Sequence, residues 1–324
     1  MFFLMAILPL LAFAGGSGEI IYNDKIENNK RIVVYDESKD KEIETTVFDL
    51  MCAIVTAEVP ARFEEEALKA QAVAAYTYTL NIIKNNLKTE KKIEGSKALF
   101  KINSRCTLYA RSFEEAKKNW DIDFDENKRR IFESVRSVFG QTILDSEKQP
   151  IHAMFFSTSS GSTYNFAEAF PERSEENHPY LVRADSSVDK EVRNFKVVVP
   201  FPKDIFCENI KNKFDIELKG KPENWIEKIE SNDLGLVRCV TIGGKKIEGR
   251  DFRFKFGLRS SNFIINFKGD VFEVITRGYG HGVGMSQNGA NGLAKKGMNY
   301  KEILKHYYPG TYIENRSFPD LQGG

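Results

Sequence analysis

Runs of apolar and polar residues along the chain predict a mixture of strands and helices. Residues 31–35 are rich in β-branched side chains and predict a strand, whereas residues 63–85 are small or apolar over most of the circumference of a helix. A helix with so little polar surface must be covered on nearly every side, so we expect it at the centre of the fold. Before it, the mostly apolar run 45–57 leads to Pro60, which biases the preceding residue away from helical geometry and predicts a break beside Glu58.

The second half of the chain contains two patterns typical of antiparallel hairpins. Residues 237–242 and 245–247 flank a Gly-Gly pair, and residues 262–267 and 271–276 flank a Lys-Gly-Asp turn. Elsewhere we predict strands over residues 141–144 and 151–156, and helices over residues 112–120, 128–138, 204–214 and 287–296. Because these elements show no regular strand–helix alternation, we predict an α+β fold: mixed helices and antiparallel hairpins around the central buried helix, with a glycine-rich cleft loop.

Residues 1–14 form an apolar stretch without a charge, and a Gly-Gly-Ser-Gly linker follows it. The stretch is too short for an ordinary membrane-spanning helix and resembles the apolar core and small-residue end of a signal peptide. A buried strand is the alternative, which Pro9 and the linker disfavour. We therefore expect residues 1–18 to be a signal-anchor remnant and linker of an exported protein. Residues 19–324 would form one unit, which could carry a peripheral lobe near residues 188–260.

Charge and cysteine content argue against several classes of function. The 324 residues include 47 basic and 46 acidic side chains, giving a formal charge of +1, and no dense basic tract is present. A role in nucleic-acid binding therefore has no electrostatic support. The four cysteines are far apart and form no Cys-x-x-Cys pair, so neither a zinc site built on cysteine spacing nor a disulfide framework is indicated. We predict no metal and no cofactor.

The most distinctive stretch is residues 277–287, where four glycines fall at every second position from Gly278 to Gly284. Such a run offers few side chains to pack, and it joins a strand-like run to a helix-like run. Backbone amides exposed beside a helix N-terminus can bind anions or hydroxyl groups. A tight connection around a buried histidine is the alternative, but bare backbone combined with polar tips favours a binding site. The candidate residues are Tyr279, Gly280, His281, Gly282, Ser286 and Gln287.

A second polar stretch, residues 157–163, follows the predicted strand 151–156 and contains six hydroxyl groups and one glycine. These groups could line a polar cleft, with Ser157, Thr158 and Ser159 as candidate contacts, although a turn-rich loop would have the same composition. The chain has no Gly-x-Ser-x-Gly motif, so a serine nucleophile is poorly supported.

Glu58 stands between apolar residues shortly before the predicted central helix. Desolvation of such a carboxyl would raise its pKa and suit it to donate a proton at neutral pH. A glutamate near a helix start is also commonly a cap or an ion-pair partner, and the local pattern alone weighs the two interpretations equally.

Several blocks of the chain together resemble the stage II sporulation protein D family. The first is Ala-Glu-Val-Pro at residues 57–60, followed by Glu-Ala-Leu-Lys-Ala-Gln-Ala-Val-Ala-Ala at residues 66–75. The others are Phe-Phe-Ser-Thr-Ser at residues 155–159, Pro-Tyr-Leu at residues 179–181, and residues 277–289 and 303–310. The blocks occur in family order over most of the chain, residues 45–313, and their combination is highly specific.

The resemblance implies an exported, membrane-anchored lytic transglycosylase of endospore formers. Such an enzyme acts during engulfment on peptidoglycan glycan strands that have lost their stem peptides. The family's catalytic glutamate falls on Glu58, which turns the open question about this residue into a clear prediction. The same resemblance extends to a protein that modifies an amidase, so the fold alone does not establish catalysis. The alternative is a catalytically silent glycan-binding protein that activates a cell-wall amidase.

The implied chemistry needs only one carboxyl. Glu58 as acid would protonate the glycosidic oxygen between N-acetylmuramic acid and N-acetylglucosamine, and as base it would deprotonate the muramic 6-hydroxyl. That hydroxyl would close a 1,6-anhydro ring without consuming water. The glycine-rich stretch and the hydroxyls of residues 157–160 would bind the polar groups of the sugar, with Tyr279 as a stacking face.

The resemblance also implies partners: an amidase, stage II sporulation protein P, and a membrane protein, stage II sporulation protein M. Attachment through the N-terminal segment would place the chain on the extracytoplasmic face of the mother-cell membrane, facing the intermembrane septal space. The chain departs from the family pattern at Tyr76, where many relatives carry arginine, and at Asn288, where they carry tyrosine or tryptophan. Some relatives bind zinc near the segment corresponding to residues 104–107, but Cys106 has no histidine nearby in the sequence. A zinc site is not expected but stays open, because the fold alone could bring one of the histidines at positions 152, 178, 281 and 306 to Cys106.

Overall fold

The computed structural model describes residues 30–89, 93–103 and 108–318. The expected signal-anchor segment and the segment around Cys106 lie outside these described residues. In chain order the helices are α1 (Val47–Glu58), α2 (Glu65–Lys88), α3 (Phe113–Trp120), α4 (Phe124–Val138), α5 (Phe166–Ala169), α6 (Lys203–Phe214), α7 (Gly249–Phe256), α8 (Gln287–Lys295) and α9 (Tyr300–Tyr307). The strands are β1 (Arg31–Asp36), β2 (Lys41–Thr46), β3 (Lys101–Ile102), β4 (Gln141–Leu144), β5 (Phe155–Phe156), β6 (Lys196–Pro202), β7 (Ile226–Ser231), β8 (Val237–Ile242), β9 (Lys245–Glu248), β10 (Phe263–Lys268), β11 (Val271–Arg277), β12 (Met285–Ser286) and β13 (Tyr312–Asn315).

Helix α2 lies at the centre of the larger hydrophobic core, as its composition predicts. Its small residues, among them Ala70 and Ala74, are fully buried, and α1, α4, α8, α9 and β4 pack around it. Small side chains allow neighbouring elements to approach the helix closely, which explains how one helix contacts so many others. The helix occupies residues 65–88, slightly later in the chain than the predicted 63–85.

Helix α1 forms from the apolar run before Pro60 and ends at Glu58. At its start, the Thr46 hydroxyl accepts a hydrogen bond from the amide of Asp49 at 3.1 Å. Val59 is extended, with φ −133° and ψ 148°, because a proline follows it, and the helix therefore stops one residue earlier. The predicted break thus places the Glu58 carboxyl at the C-terminal end of a helix.

Both predicted hairpins are present and antiparallel. Strands β8 and β9 pair across the Gly-Gly turn, and β10 pairs with β11. Strand β6 joins the other side of β11 and β7 joins the other side of β8, giving two three-stranded sheets. A third sheet has the order β2-β1-β3, while β4 pairs with β13 and β5 with β12. Short sheets interspersed with helices confirm the α+β class.

A second hydrophobic core lies among α6, α7 and the sheets that contain β8 and β11. Aromatic rings dominate it, and Phe206 and Phe272 stack with their ring centroids 4.1 Å apart. Its buried members fall between residues 206 and 274, so it overlaps the lobe expected near residues 188–260 and extends beyond it. The division of the chain into one unit with a lobe stays a prediction.

The predicted strand over residues 151–156 is shorter than expected, because only Phe155–Phe156 is a strand. The amides of Ala153 and Met154 each donate to the carbonyl two residues earlier, at 2.9 and 2.8 Å, and these tight turns interrupt the extended backbone. The two remaining residues pair in parallel with Met285–Ser286, directly after the four alternating glycines.

Candidate active site

The glycine loop, residues 277–287, depends on glycine for its conformation. Its four alternating glycines all have positive φ, from +74° to +119°. A Cβ on Gly282 would lie 2.4 Å from the ring of Tyr164, and one on Gly284 would lie 2.0 Å from the carbonyl oxygen of Met154. The bare backbone therefore permits both the left-handed geometry and a close approach to the neighbouring segments.

The glycine loop lies directly against the serine loop, residues 157–163. Thr158 and Tyr279 exchange two backbone hydrogen bonds with N–O distances of 2.9 and 2.7 Å. The amide of Tyr164 also donates to the carbonyl oxygen of Gly282 at 2.8 Å. The fold thus makes neighbours of the two polar stretches that the sequence singles out.

Part of the glycine loop is already hydrogen-bonded within the protein. The amides of Gly278, Tyr279 and Gly280 donate to carbonyl oxygens of neighbouring segments at 2.7 to 3.0 Å. These three amides are therefore not available to a ligand in this arrangement. What the loop presents here is the Tyr279 side chain, which is 46% exposed.

Glu58 is half-buried, and each of its carboxyl oxygens accepts a hydrogen bond. Oε1 accepts from the backbone amide of Tyr109 at 3.0 Å, and Oε2 accepts from the side-chain amide of Gln287 at 3.2 Å. Ser286 caps the helix that Gln287 begins, because its hydroxyl accepts from the amide of Gly289 at 3.1 Å. The end of the glycine loop thus holds Gln287 against the carboxyl.

Burial raises the pKa of Glu58, and the hydrogen bonds from Tyr109 and Gln287 lower it less than burial raises it. The position of the residue acts in the same direction as burial. A carboxylate at the C-terminal end of a helix meets the negative end of the helix dipole, which disfavours the charged form. Glu58 is therefore suited to hold a proton and to release it to a substrate, while its two donors can stabilise the carboxylate that remains.

Asn288 links Glu58's partner to the serine loop. Its side-chain nitrogen donates to the carbonyl oxygen of Ser157 and to the hydroxyl of Thr158, each at 3.0 Å. The hydroxyls of Ser157 and Thr158 lie 3.2 Å apart. Since Asn288 follows Gln287 and Thr158 pairs with Tyr279, a connected set of contacts runs from Glu58 to the exposed tyrosine ring. At this departure from the expected family pattern, the chain has an amide that joins two loops.

Most of the predicted substrate contacts are buried, and two of them, Ser159 and Ser286, serve the protein itself. The amide of Ser159 donates to Oδ2 of Asp189 at 2.9 Å, and Ser286 is the helix cap already described. Asp189 is fully buried, also accepts from the hydroxyl of Ser186 at 2.9 Å, and has its pKa raised by burial. These residues fix the shape of the loops, and a direct sugar contact for Ser159 or Ser286 stays a prediction.

His281 has both ring nitrogens engaged by backbone groups. Nδ1 accepts from the amide of Val283 at 3.2 Å, so Nε2 carries the proton and donates to the carbonyl oxygen of Phe155 at 3.0 Å. Burial, with a smaller contribution from Arg253, lowers the pKa of His281 to about 3. The neutral ring joins the glycine loop to β5 and leaves no ring nitrogen for a sugar while these bonds persist.

Tyr76 points into the hydrophobic core. It is 2% exposed, its hydroxyl donates to the carbonyl oxygen of Arg316 at 3.0 Å, and its ring packs against Phe139. A cation nevertheless lies next to the turn between α1 and α2. The guanidinium of Arg130 donates to the carbonyl oxygens of Ala61 and Phe63, at 3.0 and 2.6 Å. The turn that follows Glu58 is thus held by an arginine from α4.

Sequence reasoning missed three members of this arrangement: the amide of Tyr109, Asp189, and the bridging role of Asn288. A backbone donor has no signature in the sequence, and Asp189 stands in an ordinary charged stretch. Asn288 could be recognised only as a departure from the family pattern.

Two cavities occur away from Glu58. One, of about 390 Å³, lies between β1 and α1, and the other, of about 820 Å³, lies beside the C-terminal half of α2. Within the described residues, no three His, Cys, Asp or Glu side chains converge in a way that could hold a metal ion. Among the helices of the same residues, none is long and apolar enough to cross a membrane.

Comparison with known proteins identifies relatives over most of the chain. A family model described as stage II sporulation protein matches residues 35–144. The chain is 37% identical over 266 residues to stage II sporulation protein D of Bacillus subtilis (strain 168), which covers 82% of this chain and 73% of that protein.

Two further relatives extend the comparison. Stage II sporulation protein D of Bacillus amyloliquefaciens is 34% identical over 288 residues, covering 89% of this chain and 79% of the relative. A shorter region of 86 residues, 26% of this chain, is 34% identical to the amidase enhancer of Bacillus subtilis (strain 168), of which it covers 12%. The extent and identity of the two longer matches show that the chain belongs to the stage II sporulation protein D family and is a sporulation protein.

Proposed function

We propose that the chain is a lytic transglycosylase that cleaves peptidoglycan glycan strands lacking stem peptides and leaves 1,6-anhydro-N-acetylmuramic ends. The observation that carries the proposal is the setting of Glu58. Its pKa is raised by burial, it lies at a helix C-terminus, and a donor faces each of its oxygens. A carboxyl whose pKa is raised and which is held in one orientation is suited to general acid catalysis.

The reaction can proceed with Glu58 as the only proton carrier. In the first step its proton moves to the glycosidic oxygen, the bond from that oxygen to the muramic anomeric carbon breaks, and the N-acetylglucosamine end leaves with a hydroxyl. In the second step the muramic 6-hydroxyl gives its proton to Glu58, and its oxygen bonds to the anomeric carbon. Glu58 ends protonated, as it began, and no water is consumed. Enzymes that use two carboxyls need the second as nucleophile or base, a role that the 6-hydroxyl fills here.

The donors around Glu58 have a role between these two steps. Once the proton has left, the amide of Tyr109 and the side chain of Gln287 donate to the carboxylate, and such prearranged donors stabilise charge as it develops. The serine loop and the exposed ring of Tyr279 would hold the sugars, the ring by stacking on a pyranose face.

We place this activity at the extracytoplasmic face of the mother-cell membrane, in the intermembrane septal space, during engulfment. Attachment would use the N-terminal segment, and the partners would be stage II sporulation proteins P and M. The amidase would remove stem peptides and so create the substrate. Family membership supports this setting, and intact sacculi should be poor substrates until an amidase has acted.

Mass analysis of glycan strands tests the activity directly. The purified chain is incubated with intact sacculi and with strands from which an amidase has removed the peptides. We expect anhydro ends from the stripped strands and little release from the intact ones. Reducing ends would indicate hydrolysis, and equal rates on both substrates would contradict the requirement for stripping.

A second candidate function is activation of a cell-wall amidase by a catalytically silent glycan-binding chain. The partial match to an amidase enhancer favours it. It predicts unchanged stripped strands after incubation with the chain alone, together with faster peptide release when an amidase is added. The same mass analysis, with and without the amidase, separates the two functions.

A further inference from the structure

We infer that a cationic patch beside the candidate active site selects glycan strands whose muramic acid residues carry free carboxylates. The inference rests on the function proposed above. The patch consists of Arg259, which lies over the exposed ring of Tyr279, and of Lys196 and Arg277, which stand opposite each other on the adjoining strands. When an amidase removes a stem peptide, the lactyl group of N-acetylmuramic acid becomes a carboxylate, whereas in an intact strand the same group is an amide. A stripped strand therefore carries a carboxylate directly on each muramic acid residue, at the position where an intact strand has an amide.

Arg259 lies over the ring of Tyr279. Its guanidinium carbon lies 4.5 Å from the ring centroid, and one terminal nitrogen donates to the carbonyl oxygen of Asn194 at 3.2 Å. The amide of Gly280 donates to the Arg259 carbonyl at 3.0 Å, which fixes the arginine backbone to the glycine loop. The bond to Asn194 uses one N–H of the guanidinium, so its other N–H groups can still bind a carboxylate.

Lys196 and Arg277 occupy directly opposed positions on the antiparallel strands β6 and β11. Like charges at such positions repel each other and lower the stability of the strand pair. In the described part of the chain, Lys196, Arg259 and Arg277 form no ion pair with an acidic side chain. An anion bound between them would relieve the repulsion, which is the arrangement expected of a binding site.

The backbone makes these three cations neighbours. The amide of Gly278 donates to the carbonyl of Phe195 at 2.8 Å, so the segment before Lys196 lies against the residue that follows Arg277. Asn194, one residue further back, accepts from Arg259. These bonds bring the three segments that carry the cations together, even though the residues are distributed over more than 80 positions of the sequence.

The patch is connected to Glu58 by the contacts of the active site. Tyr279 pairs with Thr158, the Asn288 side chain bonds to Thr158, and Asn288 follows Gln287, which donates to Glu58. A glycan strand that stacks on the tyrosine ring can therefore continue toward the catalytic carboxyl. The formal charge of the whole chain is only +1, so attraction for an acidic strand must come from a local cluster such as this one.

Binding of chemically matched strands tests the inference. Amidase-stripped strands are compared with the same strands after their carboxylates have been converted to methylamides with methylamine and a carbodiimide. We expect the full chain to bind the carboxylate form about tenfold more tightly, because one exposed and two partly exposed cations each contribute a modest attraction. Arg259→Gln should reduce this preference to about threefold or less. Lys219→Gln removes an exposed positive charge outside the patch and should leave the preference unchanged.

Each outcome decides either the inference or the function on which it rests. Equal binding of both strands by the wild-type chain would overturn the inference while leaving the proposed function standing, provided that both strands are cleaved. An unchanged preference in folded Arg259→Gln would also overturn it, as would equally tight binding of polyglutamate, which carries carboxylates but no sugar. Failure to bind or cleave either strand would overturn the proposed function itself. If Arg259→Gln does not fold, Arg277→Gln gives the same comparison.

Discussion

Glu58 and His281 are two desolvated titratable groups in the same site, and their surroundings give them different roles. Burial shifts each pKa toward the neutral form, upward for Glu58 and down to about 3 for His281. Glu58 accepts one hydrogen bond at each oxygen and can still carry a proton for a substrate, whereas both nitrogens of His281 are occupied by backbone groups. Burial thus shifts the pKa of both groups, and their hydrogen-bonding partners decide whether a proton of Glu58 or of His281 is available for chemistry.

The largest effect on activity should come from Glu58→Gln. Glutamine retains the shape and can still accept from the Tyr109 amide, but it has no titratable proton to give. We expect strand cleavage at least about a hundredfold slower than in the wild-type chain, the usual low end for loss of a general acid. Cleavage rates on stripped strands measure this effect, and Glu64→Gln, the same change at an exposed position, is the control.

The stability of Glu58→Gln gives an independent test of the assignment. The pKa of Glu58 is higher in the folded chain than in the unfolded chain, so protonation of Glu58 stabilises the fold. This stabilisation is complete below the unfolded-state pKa and is lost as pH rises through the folded-state pKa. At pH 7 the glutamine variant should therefore melt at the same temperature as the wild-type chain or higher. Near-normal cleavage by this folded variant would refute the catalytic role of Glu58.

The largest effect on stability should come from Gly284→Ala. The new Cβ would lie 2.0 Å from the Met154 carbonyl oxygen, and φ is +76°, so the loop must move. We expect a loss of at least about 3 kcal/mol in the free energy of unfolding, from steric conflict added to backbone strain. Gly310→Ala is a matched control, since its φ is also +76° but no atom lies within 4 Å of the added Cβ. If denaturant unfolding gave the same loss of free energy for both variants, the close contact with Met154 would not contribute to the effect at Gly284.

His281→Ala should lower stability more than activity. Removal of the ring leaves the carbonyl of Phe155 and the amide of Val283 without their partner, at a cost of roughly 1–3 kcal/mol. Cleavage per folded molecule should fall far less than in Glu58→Gln. His306→Ala, which also removes an imidazole bonded to a carbonyl oxygen, serves as the control on α9. A normal melting temperature with strongly reduced turnover would instead favour a direct sugar contact for His281.

The smallest effect should be that of Gln287→Leu, which should shift the pH dependence of the cleavage rate. The side chain of Gln287 lowers the pKa of Glu58, so its removal should raise that pKa further. A general acid works in its protonated form, and the high-pH limb of the cleavage rate should therefore move to higher pH. The maximal rate should also fall, since one donor to the carboxylate is lost. A shift of the high-pH limb of the rate profile to lower pH would contradict the proposed role of Gln287.

The periodic and glycine-rich parts of the chain could be predicted from the sequence. The small and apolar residues of α2 predict that this helix is buried. Turn residues predict the β8–β9 and β10–β11 hairpins, and alternating glycines predict the glycine loop. These features are local, so neighbouring residues carry the information. The two tight turns before Phe155 could not be predicted, because apolar residues permit a strand there and only the packing of the fold decides otherwise.

The candidate site was predictable only in part, for a physical reason. Glu58 has a local motif, whereas its donors do not: one is a backbone amide, and the other is a glutamine from the opposite end of the chain. Asp189 resembles any surface aspartate until the fold buries it beneath the serine loop. The prediction of His281 as a sugar contact rests on its glycine neighbours. Backbone groups of Phe155 and Val283 engage both ring nitrogens, which no local pattern indicates, and the sugar contact stays a prediction.

The hydrogen bond between Glu58 and Gln287 joins residues 229 positions apart, and this separation has a consequence for how the chain folds. Contacts between such distant residues form slowly, since a long segment of chain must be closed before they are made. Once they are made, the loop-closure entropy grows only with the logarithm of length, so each doubling of the intervening chain costs only about 0.6 kcal/mol more. The second core and its hairpins lie within that interval and could therefore lengthen or shorten with little thermodynamic penalty. A growing chain, in contrast, cannot assemble the pair until helix α8 has been synthesised, which leaves the carboxyl without its glutamine partner throughout most of translation.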